Sequence, residues 1–106
     1  MPQASFSGFE WDSGNRLKCQ KHGVSIAEIE HVLEHAETLI TPAPENRASE
    51  TRFLAIGRTS AGRYTFVVFT PRTRVFGTLL RPISARYMHE REIRKYEKEA
   101  ARLKNR

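Results

Sequence analysis

The sequence has 106 residues, enough for one hydrophobic core and too few for two, so a single domain over residues 1–106 is predicted. Its net charge of +6 is unevenly divided, because residues 1–53 carry five basic and eight acidic side chains, whereas residues 54–106 carry thirteen and four. The single cysteine, Cys19, excludes an internal disulfide. No apolar run reaches membrane-spanning length, and residues 1–7 lack the features of a signal peptide. A cytoplasmic protein is therefore expected.

The N-terminal part of the chain predicts a short strand and two helices. Aromatic residues over Phe6–Trp11 indicate the strand, and Asp12 or Ser13 then caps a short superficial helix over Gly14–Lys21. Ser25 and Glu28 form a capping box that begins the second helix. The buried face of that helix is predicted from apolar residues at helical spacing, namely Ile26, Ile29, Val32, Leu33 and Ala36.

The remainder of the chain predicts a small sheet followed by a helix. Two prolines indicate a loop over residues 41–46, and turns are predicted at residues 60–62 and 71–73. The three strands, expected to form an antiparallel meander, are Thr51–Ile56, Arg63–Thr70 and Arg74–Ile83. A C-terminal helix runs from about Met88 to Lys104, so the predicted class is α+β. Both sheet faces are apolar, which predicts a second cover, either this helix or a partner protein.

An arginine lies at each end of the segment Arg81–Arg86, which is predicted to pass from the last strand into the C-terminal helix. A helix N-terminus offers unpaired N–H groups to phosphate, and arginine adds a planar pair of donors. Ten of the thirteen basic side chains in residues 54–106 are arginine, the residue that suits bidentate phosphate contacts. The segment therefore predicts a phosphate site, with an ordinary basic surface as the alternative.

No metal or cofactor is predicted. His31 and His35 have the spacing of two ligands on one helix, but acidic neighbours indicate a solvated face, and a third ligand has no recognisable place. Glycine-rich phosphate loops, Cys-x-x-Cys pairs and nucleophilic serine turns are missing from the sequence. RNA supplies its own nucleophile in the 2′-hydroxyl, so metal-independent cleavage of RNA needs only a base, an acid and cations.

Candidate side chains exist for each of these roles. His22 or Glu50 would transfer the proton, and the phosphate charge would be stabilised by Lys21, Arg63, Arg81 and Arg86. Both proton-transfer candidates have a simpler explanation, since His22 fits the end of a helix and Glu50 fits a surface pair with Arg52. Further RNA contacts are predicted for Arg52, Arg72, Arg74 and Arg91.

Several short motifs occur in the order and spacing of the BrnT toxins, which the sequence resembles over nearly its whole length. They are Phe9-Glu10-Trp11-Asp12, Lys21-His22-Gly23-Val24-Ser25, Glu50-Thr51-Arg52-Phe53 followed by Ile56-Gly57, Gly62-Arg63, and Ile83-Ser84-Ala85-Arg86 with Glu92 and Tyr96-Glu97. The resemblance implies a small RelE-like fold and an endoribonuclease that arrests translation as the toxin of a bacterial type II toxin–antitoxin module. It also implies that Lys21, His22, Glu50, Arg63, Arg81 and Arg86 line the RNA site.

The resemblance further implies a partner, a DNA-binding BrnA-like antitoxin of the ribbon-helix-helix type. Such an antitoxin neutralises the toxin and, together with it, represses the operon that encodes both proteins. RNA would then be the substrate, and operator DNA would be contacted through the complex. Two other interpretations of the sequence stay open: a non-catalytic basic subunit that helps a partner to hold DNA, and an interaction protein that uses its apolar sheet as an interface.

The sequence departs from the family pattern at three places. Asn46-Arg47 stand where the family often has His-Ser, with Thr51 in place of a second glutamate; Thr70-Pro71-Arg72-Thr73 replaces Thr-Glu-Arg-Gly; and Pro82 replaces an apolar residue. The first change leaves His22 as the preferred imidazole for proton transfer. Because proline donates no hydrogen bond to a ladder, Pro82 predicts a strand that lies at an edge or is ending.

Overall fold

The computed structural model describes residues 6–43 and 50–104 and has an α+β fold, as predicted. Its described part contains three helices and one five-stranded mixed sheet. In chain order the elements are β1 Gly8–Phe9, α1 Ser13–Cys19, α2 Ile26–Glu34, β2 Leu39–Pro42, β3 Phe53–Arg58, β4 Tyr64–Arg74, β5 Gly77–Tyr87 and α3 Glu90–Lys104. None of these helices is long and apolar enough to cross a membrane.

The sheet is larger than predicted from the sequence. Its strand order is β1-β5-β4-β3-β2, with β1 parallel to β5 and the other neighbours antiparallel. The sequence does not predict β2, because Thr41-Pro42 falls in the segment whose prolines indicate a loop. Pro42 is tolerated there since it is the last residue of an edge strand. The rest of the predicted loop, including Asn46 and Arg47, lies outside the described residues.

The hairpin of β4 and β5 also corrects two predictions. The turn expected at residues 71–73 lies inside β4, and the chain reverses instead at Val75 and Phe76, between the paired residues Arg74 and Gly77. The two strands pair along most of their lengths, from Thr65 with Tyr87 to Arg74 with Gly77, and this long-range pairing decides the position of the turn. Gly77 has a φ of 137°, which suits glycine at the end of a tight hairpin loop.

The segment Arg81–Arg86 is not a strand-to-helix junction. All six residues lie in β5, and α3 begins only at Glu90, so the predicted phosphate site at a helix N-terminus is wrong. A β-bulge makes the longer strand possible, since Val68 pairs with Ser84 whereas Phe69 pairs with Pro82. Pro82 also lies beyond the pairing with β1, which ends at Leu80, so its missing N–H disrupts no pairing with β1.

The helices α1 and α2 cover one face of the sheet. Ile29, Val32 and Leu33 of α2 are buried, as its periodicity predicts, and they pack with Ala55, Val67, Phe69 and Ala85 of the sheet. Ala36, predicted for the same face, lies beyond the end of α2 and is exposed. Cys19 of α1 is fully buried, and burial raises the pKa of its thiol to about 11. Both predicted capping interactions are present, with Asp12 beginning α1 and Ser25 beginning α2.

The opposite face of the sheet is only partly covered. Because side chains alternate along a strand, Leu54, Ile56, Phe66 and Val68 point away from α1 and α2, and all four are half-buried. The helix α3 contacts this face at one end, where the rings of Tyr64 and Tyr96 meet edge to face at 5.6 Å. The rest of this surface, called the open face below, contains the candidate site.

Candidate functional site

A cleft of about 340 Å³ lies on the open face, beside the exposed part of β5. Its apolar floor follows from strand register, which places Phe66 directly opposite Arg86 and Val68 opposite both Leu54 and Ser84. Polar side chains come from three different segments of the chain. The lining residues are His22, Leu54, Phe66, Val68, Ser84, Ala85, Arg86 and Glu92.

Arg86 is held in a defined orientation in this cleft. Its two terminal nitrogens donate to the two carboxylate oxygens of Glu92, at 2.9 and 2.8 Å, in the paired geometry of a strong charge-assisted contact. Its guanidinium carbon lies 4.8 Å from the centroid of the Phe66 ring. The Glu92 contact raises the pKa of Arg86 above its ordinary value, so Arg86 supplies a permanent positive charge at this position.

The sequence predicts no role for Glu92, but the structure gives it two. It accepts a hydrogen bond from the backbone N–H of His89, at 2.8 Å, and thereby caps α3. The same carboxylate holds Arg86. A glutamate three residues after a helix cap is a recognisable capping signal, but the contact with Arg86 depends on how α3 leaves the sheet.

The pH dependence of stability should report the Arg86–Glu92 pair. Arg86 and then the His89 N–H lower the pKa of Glu92 from 4.5 to about 2. A carboxyl with a lowered pKa in the folded state stabilises it fully above its unfolded pKa and loses this contribution as the pH falls. We expect Glu92→Gln to lower the free energy of unfolding by about 1 kcal/mol at neutral pH, a difference that shrinks between about pH 5 and pH 2.

Denaturant unfolding of both proteins at several pH values measures this difference. Glu99→Gln is the matched control, because Glu99 also pairs with an arginine, Arg102. The Glu99 side chain is 54% exposed, compared with 32% for the side chain of Glu92. Its effect should be close to zero at every pH. A Glu92→Gln difference that stays constant from pH 7 to pH 2 would contradict the assignment.

His22 reaches the same cleft from the turn that follows α1. This turn is anchored to β5, since the Tyr87 hydroxyl lies 3.3 Å from the carbonyl oxygen of Gly23 and 2.8 Å from Glu28 Oε1. His22 itself is exposed. The fold therefore brings together His22 and Arg86, two residues predicted for the site that are far apart in sequence.

Lys21, Arg63 and Arg91 are exposed near this region. Lys21 directly precedes His22, and Arg91 directly precedes Glu92 in the first turn of α3. The guanidinium carbon of Arg63 lies 3.6 Å from the centroid of the Tyr87 ring, on the side chain that anchors the His22 turn. Arg63 thus lies against the side chain that anchors the His22 turn, whereas Lys21 and Arg91 are sequence neighbours of two residues that line the cleft.

Glu50 and Arg81 belong to a separate group, called the ion-pair cluster below. Arg81 contacts Asp12 at 2.9 Å and Glu10 at 3.5 Å, and Glu50 contacts Arg72 at 3.1 Å. The cluster comprises Glu10, Asp12, Glu50, Arg52, Arg72, Arg74 and Arg81. Three carboxylates thus face four arginines, and the structure does not place Glu50 among the residues that line the cleft with His22.

A second, smaller cleft of about 230 Å³ connects this cluster with α1. Lys18, Glu50, Arg52 and Arg81 lie along it, together with Gly14, Asn15, Pro82 and Ile83. The backbone N–H of Asn15 and then Arg81 lower the pKa of Asp12 below its ordinary value. Because β5 rises about 3.3 Å per residue, Arg81 and Arg86 lie roughly 16 Å apart along the strand.

The two histidines considered as metal ligands lie on α2 and at its C-terminal end. The ring centroids of His31 and His35 are 5.6 Å apart. Within residues 6–43 and 50–104, no group of three or more His, Cys, Asp or Glu side chains is arranged to hold a metal ion.

Comparison with known proteins shows the family. The model of the family described as "Ribonuclease toxin, BrnT, of type II toxin-antitoxin system" matches residues 11–92, which include the His22 turn, the open face and Glu92. No curated protein matches the chain. Since the match covers about three quarters of the sequence, the chain belongs to the BrnT family of ribonuclease toxins from type II toxin–antitoxin systems.

Proposed function

We propose that the chain is the toxin of a type II toxin–antitoxin module and that it cleaves RNA, without a metal ion, in the cleft on the open face. The observation that carries this proposal is that His22 and Arg86, the latter held by Glu92, both line a single cleft of a BrnT family member. Cleavage by the 2′-hydroxyl needs a base, an acid and a cation, and this cleft supplies the first in His22 and the last in Arg86.

In the proposed reaction, His22 takes the proton of the 2′-hydroxyl while the 2′ oxygen bonds to phosphorus. The bond from phosphorus to the 5′ oxygen breaks, and the leaving oxygen takes a proton from water. The hydroxide that remains takes the proton from His22, which restores the neutral imidazole. The products are a 2′,3′-cyclic phosphate and a 5′-hydroxyl end. Arg86 stabilises the charge that develops on the phosphate oxygens, because its permanent charge is already oriented.

The remaining predicted residues receive binding roles in this proposal. Lys21, Arg63 and Arg91 attract the RNA backbone from their exposed positions, and the arginines of the ion-pair cluster contact phosphates further along the strand. Glu50 lies among those arginines, which favours a role in holding Arg52 and Arg72 rather than in proton transfer.

The proposed partner is a BrnA-like ribbon-helix-helix antitoxin that covers the open face. Covering this face would bury the half-buried apolar residues and deny RNA access to the cleft. Operator DNA would be contacted through the complex, and the site of action would be the cytoplasm, where the RNA substrate is translated.

Incubation of the purified toxin with RNA in excess chelator tests the proposal. We expect fragments that end in 2′,3′-cyclic phosphate and 5′-hydroxyl groups, and we expect the antitoxin to suppress their formation. RNA that stays intact with the toxin at micromolar concentration, with and without added divalent cations, would contradict the proposed activity. Cleavage that requires the cations would contradict only its metal independence.

A second candidate function is that of a non-catalytic subunit that acts with a DNA-binding partner. The observation that favours it is the tip of the β4–β5 hairpin, where Val75 and Phe76 are exposed beside the arginines of the ion-pair cluster. Salt-dependent binding of duplex DNA by the isolated chain, without cleavage of RNA, is the result that would support this candidate instead.

A further inference from the structure

We propose that the floor of the cleft is a nucleobase subsite, in which one base of the RNA stacks on the Phe66–Arg86 pair. This inference rests on the RNA substrate of the proposed function and adds which part of the nucleotide the floor recognises. The phosphate would lie at the polar side of the cleft and the base on its apolar floor.

The floor has the layout that a planar ligand needs. Register places Phe66 and Arg86 opposite each other in one row of the floor, and Leu54, Val68 and Ser84 in the next. The first row carries the ring of Phe66 and the guanidinium of Arg86. The second row provides apolar side chains and one hydroxyl, on Ser84, which is able to bond to the edge of a base.

Arg86 strengthens this surface because its orientation is fixed. Glu92 binds both terminal nitrogens, and the guanidinium carbon lies 4.8 Å from the Phe66 centroid. Aromatic rings and guanidinium planes are the two surfaces on which RNA-binding proteins stack unpaired bases. Here the two surfaces are neighbours, and Glu92 holds the guanidinium beside the ring.

The shape and charge of the cleft favour a base over a protein side chain at this floor. Phe66 and Val68 are half-buried in a concavity, whereas the large apolar side chains that are exposed lie elsewhere, at Val75, Phe76 and Leu103 among others. Charged and titratable groups, His22, Arg86 and Glu92, converge on the floor. An apolar platform beside a fixed cation matches a nucleotide, which combines a flat base with an anionic phosphate.

Binding of a short oligonucleotide with 2′-O-methyl groups throughout tests the subsite, because this RNA has no 2′-hydroxyl nucleophile and stays uncut. Phe66→Leu keeps an apolar side chain but removes the ring. We expect it to weaken binding by roughly 10-fold or more, the usual effect of losing one stacked base. The salt dependence of binding should stay the same, because phosphate contacts are unchanged.

Phe53→Leu is the matched control. Phe53 is equally classed as half-buried, but it lies on the face covered by α1 and α2, where it stacks on Phe69 at 5.8 Å. We expect the Phe53→Leu protein to bind the oligonucleotide with the same affinity as the unchanged protein. Thermal unfolding of both variants shows whether each is folded under the conditions of the binding assay.

A second measurement uses the unchanged protein and therefore does not depend on how Phe66→Leu folds. A set of oligonucleotides, each with one base removed but all phosphates retained, should contain at least one member that binds roughly 10-fold more weakly. Equal binding by every member of the set, or an effect of Phe66→Leu below twofold, would overturn the subsite. Phe66→Leu that loses only antitoxin binding would also overturn it and would assign the floor to the antitoxin.

These outcomes are distinct from a failure of the proposed function. If the RNA binds in this way but is never cut, the subsite stands and the catalytic proposal fails. If RNA is cut normally by Phe66→Leu and by the unchanged protein, the catalytic proposal stands and the subsite fails.

Discussion

Replacing Arg86 with alanine should lower kcat/KM for RNA cleavage by about 100-fold or more, the usual effect of removing one oriented group that stabilises transition-state charge. The physical reason is that Glu92 already holds the guanidinium in place, so the site loses a charge that needed no reorganisation. Cleavage is measured with a defined RNA in excess chelator, under conditions in which the unchanged toxin is active.

Arg94→Ala is the matched control for this experiment. Arg94 also pairs with a glutamate at the beginning of α3, Glu90 at 3.6 Å, but it is 74% exposed and does not line the cleft. We expect a change below threefold. Arg86→Lys separates charge from shape, because lysine keeps the charge but loses the paired donors. The activity of this variant should fall between those of Arg86→Ala and Arg94→Ala. Full activity of Arg86→Ala would return this arginine to a purely structural role.

Replacing Asn15 with alanine should lower the free energy of unfolding by about 3 kcal/mol, because buried hydrogen-bonding groups would lose their partners. Asn15 is 6% exposed, and its amide nitrogen donates to the carbonyl oxygens of Glu10 and Pro82, at 3.0 and 2.9 Å. Its amide oxygen accepts from the backbone N–H of Asp12 at 2.7 Å. One side chain thus joins the segment that follows β1, the beginning of α1, and β5.

Thermal unfolding measures this prediction, and the midpoint should fall by about 15 °C for a domain of this size. Gln20→Ala is the control, since Gln20 also donates its amide to a carbonyl oxygen, that of Arg16 at 3.1 Å, but is exposed. Its effect should stay within about 0.5 kcal/mol. An Asn15→Ala protein as stable as the control would show that these hydrogen bonds are replaced by water.

Some features of the fold could be predicted from the sequence because they are local. The apolar spacing of α2 and its capping box identified both the helix and its buried face, and Ile29, Val32 and Leu33 are indeed in the core. The turn at residues 60–62 was also predicted correctly, and its Gly62 has a φ of 86°. In each case the deciding interactions join residues only a few positions apart.

Features that depend on distant pairing could not be predicted in this way. The sequence around Pro42 indicated a loop, yet pairing with β3 makes it the end of an edge strand. Pro82 predicts a strand that lies at an edge or is ending, and pairing decides between the two: Pro82 lies beyond the pairing with β1, where β5 is the outer strand, and a bulge opposite Val68 and Phe69 lets β5 continue to Tyr87. A proline restricts a strand only where a neighbouring strand would need its missing N–H as a hydrogen-bond donor. The sequence alone does not show which strand, if any, lies at that position.

The candidate site shows the same division. The sequence by itself determined the family, the basic second half of the chain, and His22 and Arg86 as candidates for the site. Only the tertiary structure decided that these two share a cleft, that Glu50 and Arg81 lie in a separate ion-pair cluster, and that Glu92 holds Arg86. The reason is physical: strand register and the direction in which α3 leaves the sheet determine which distant side chains meet, and both arise from packing of the whole chain.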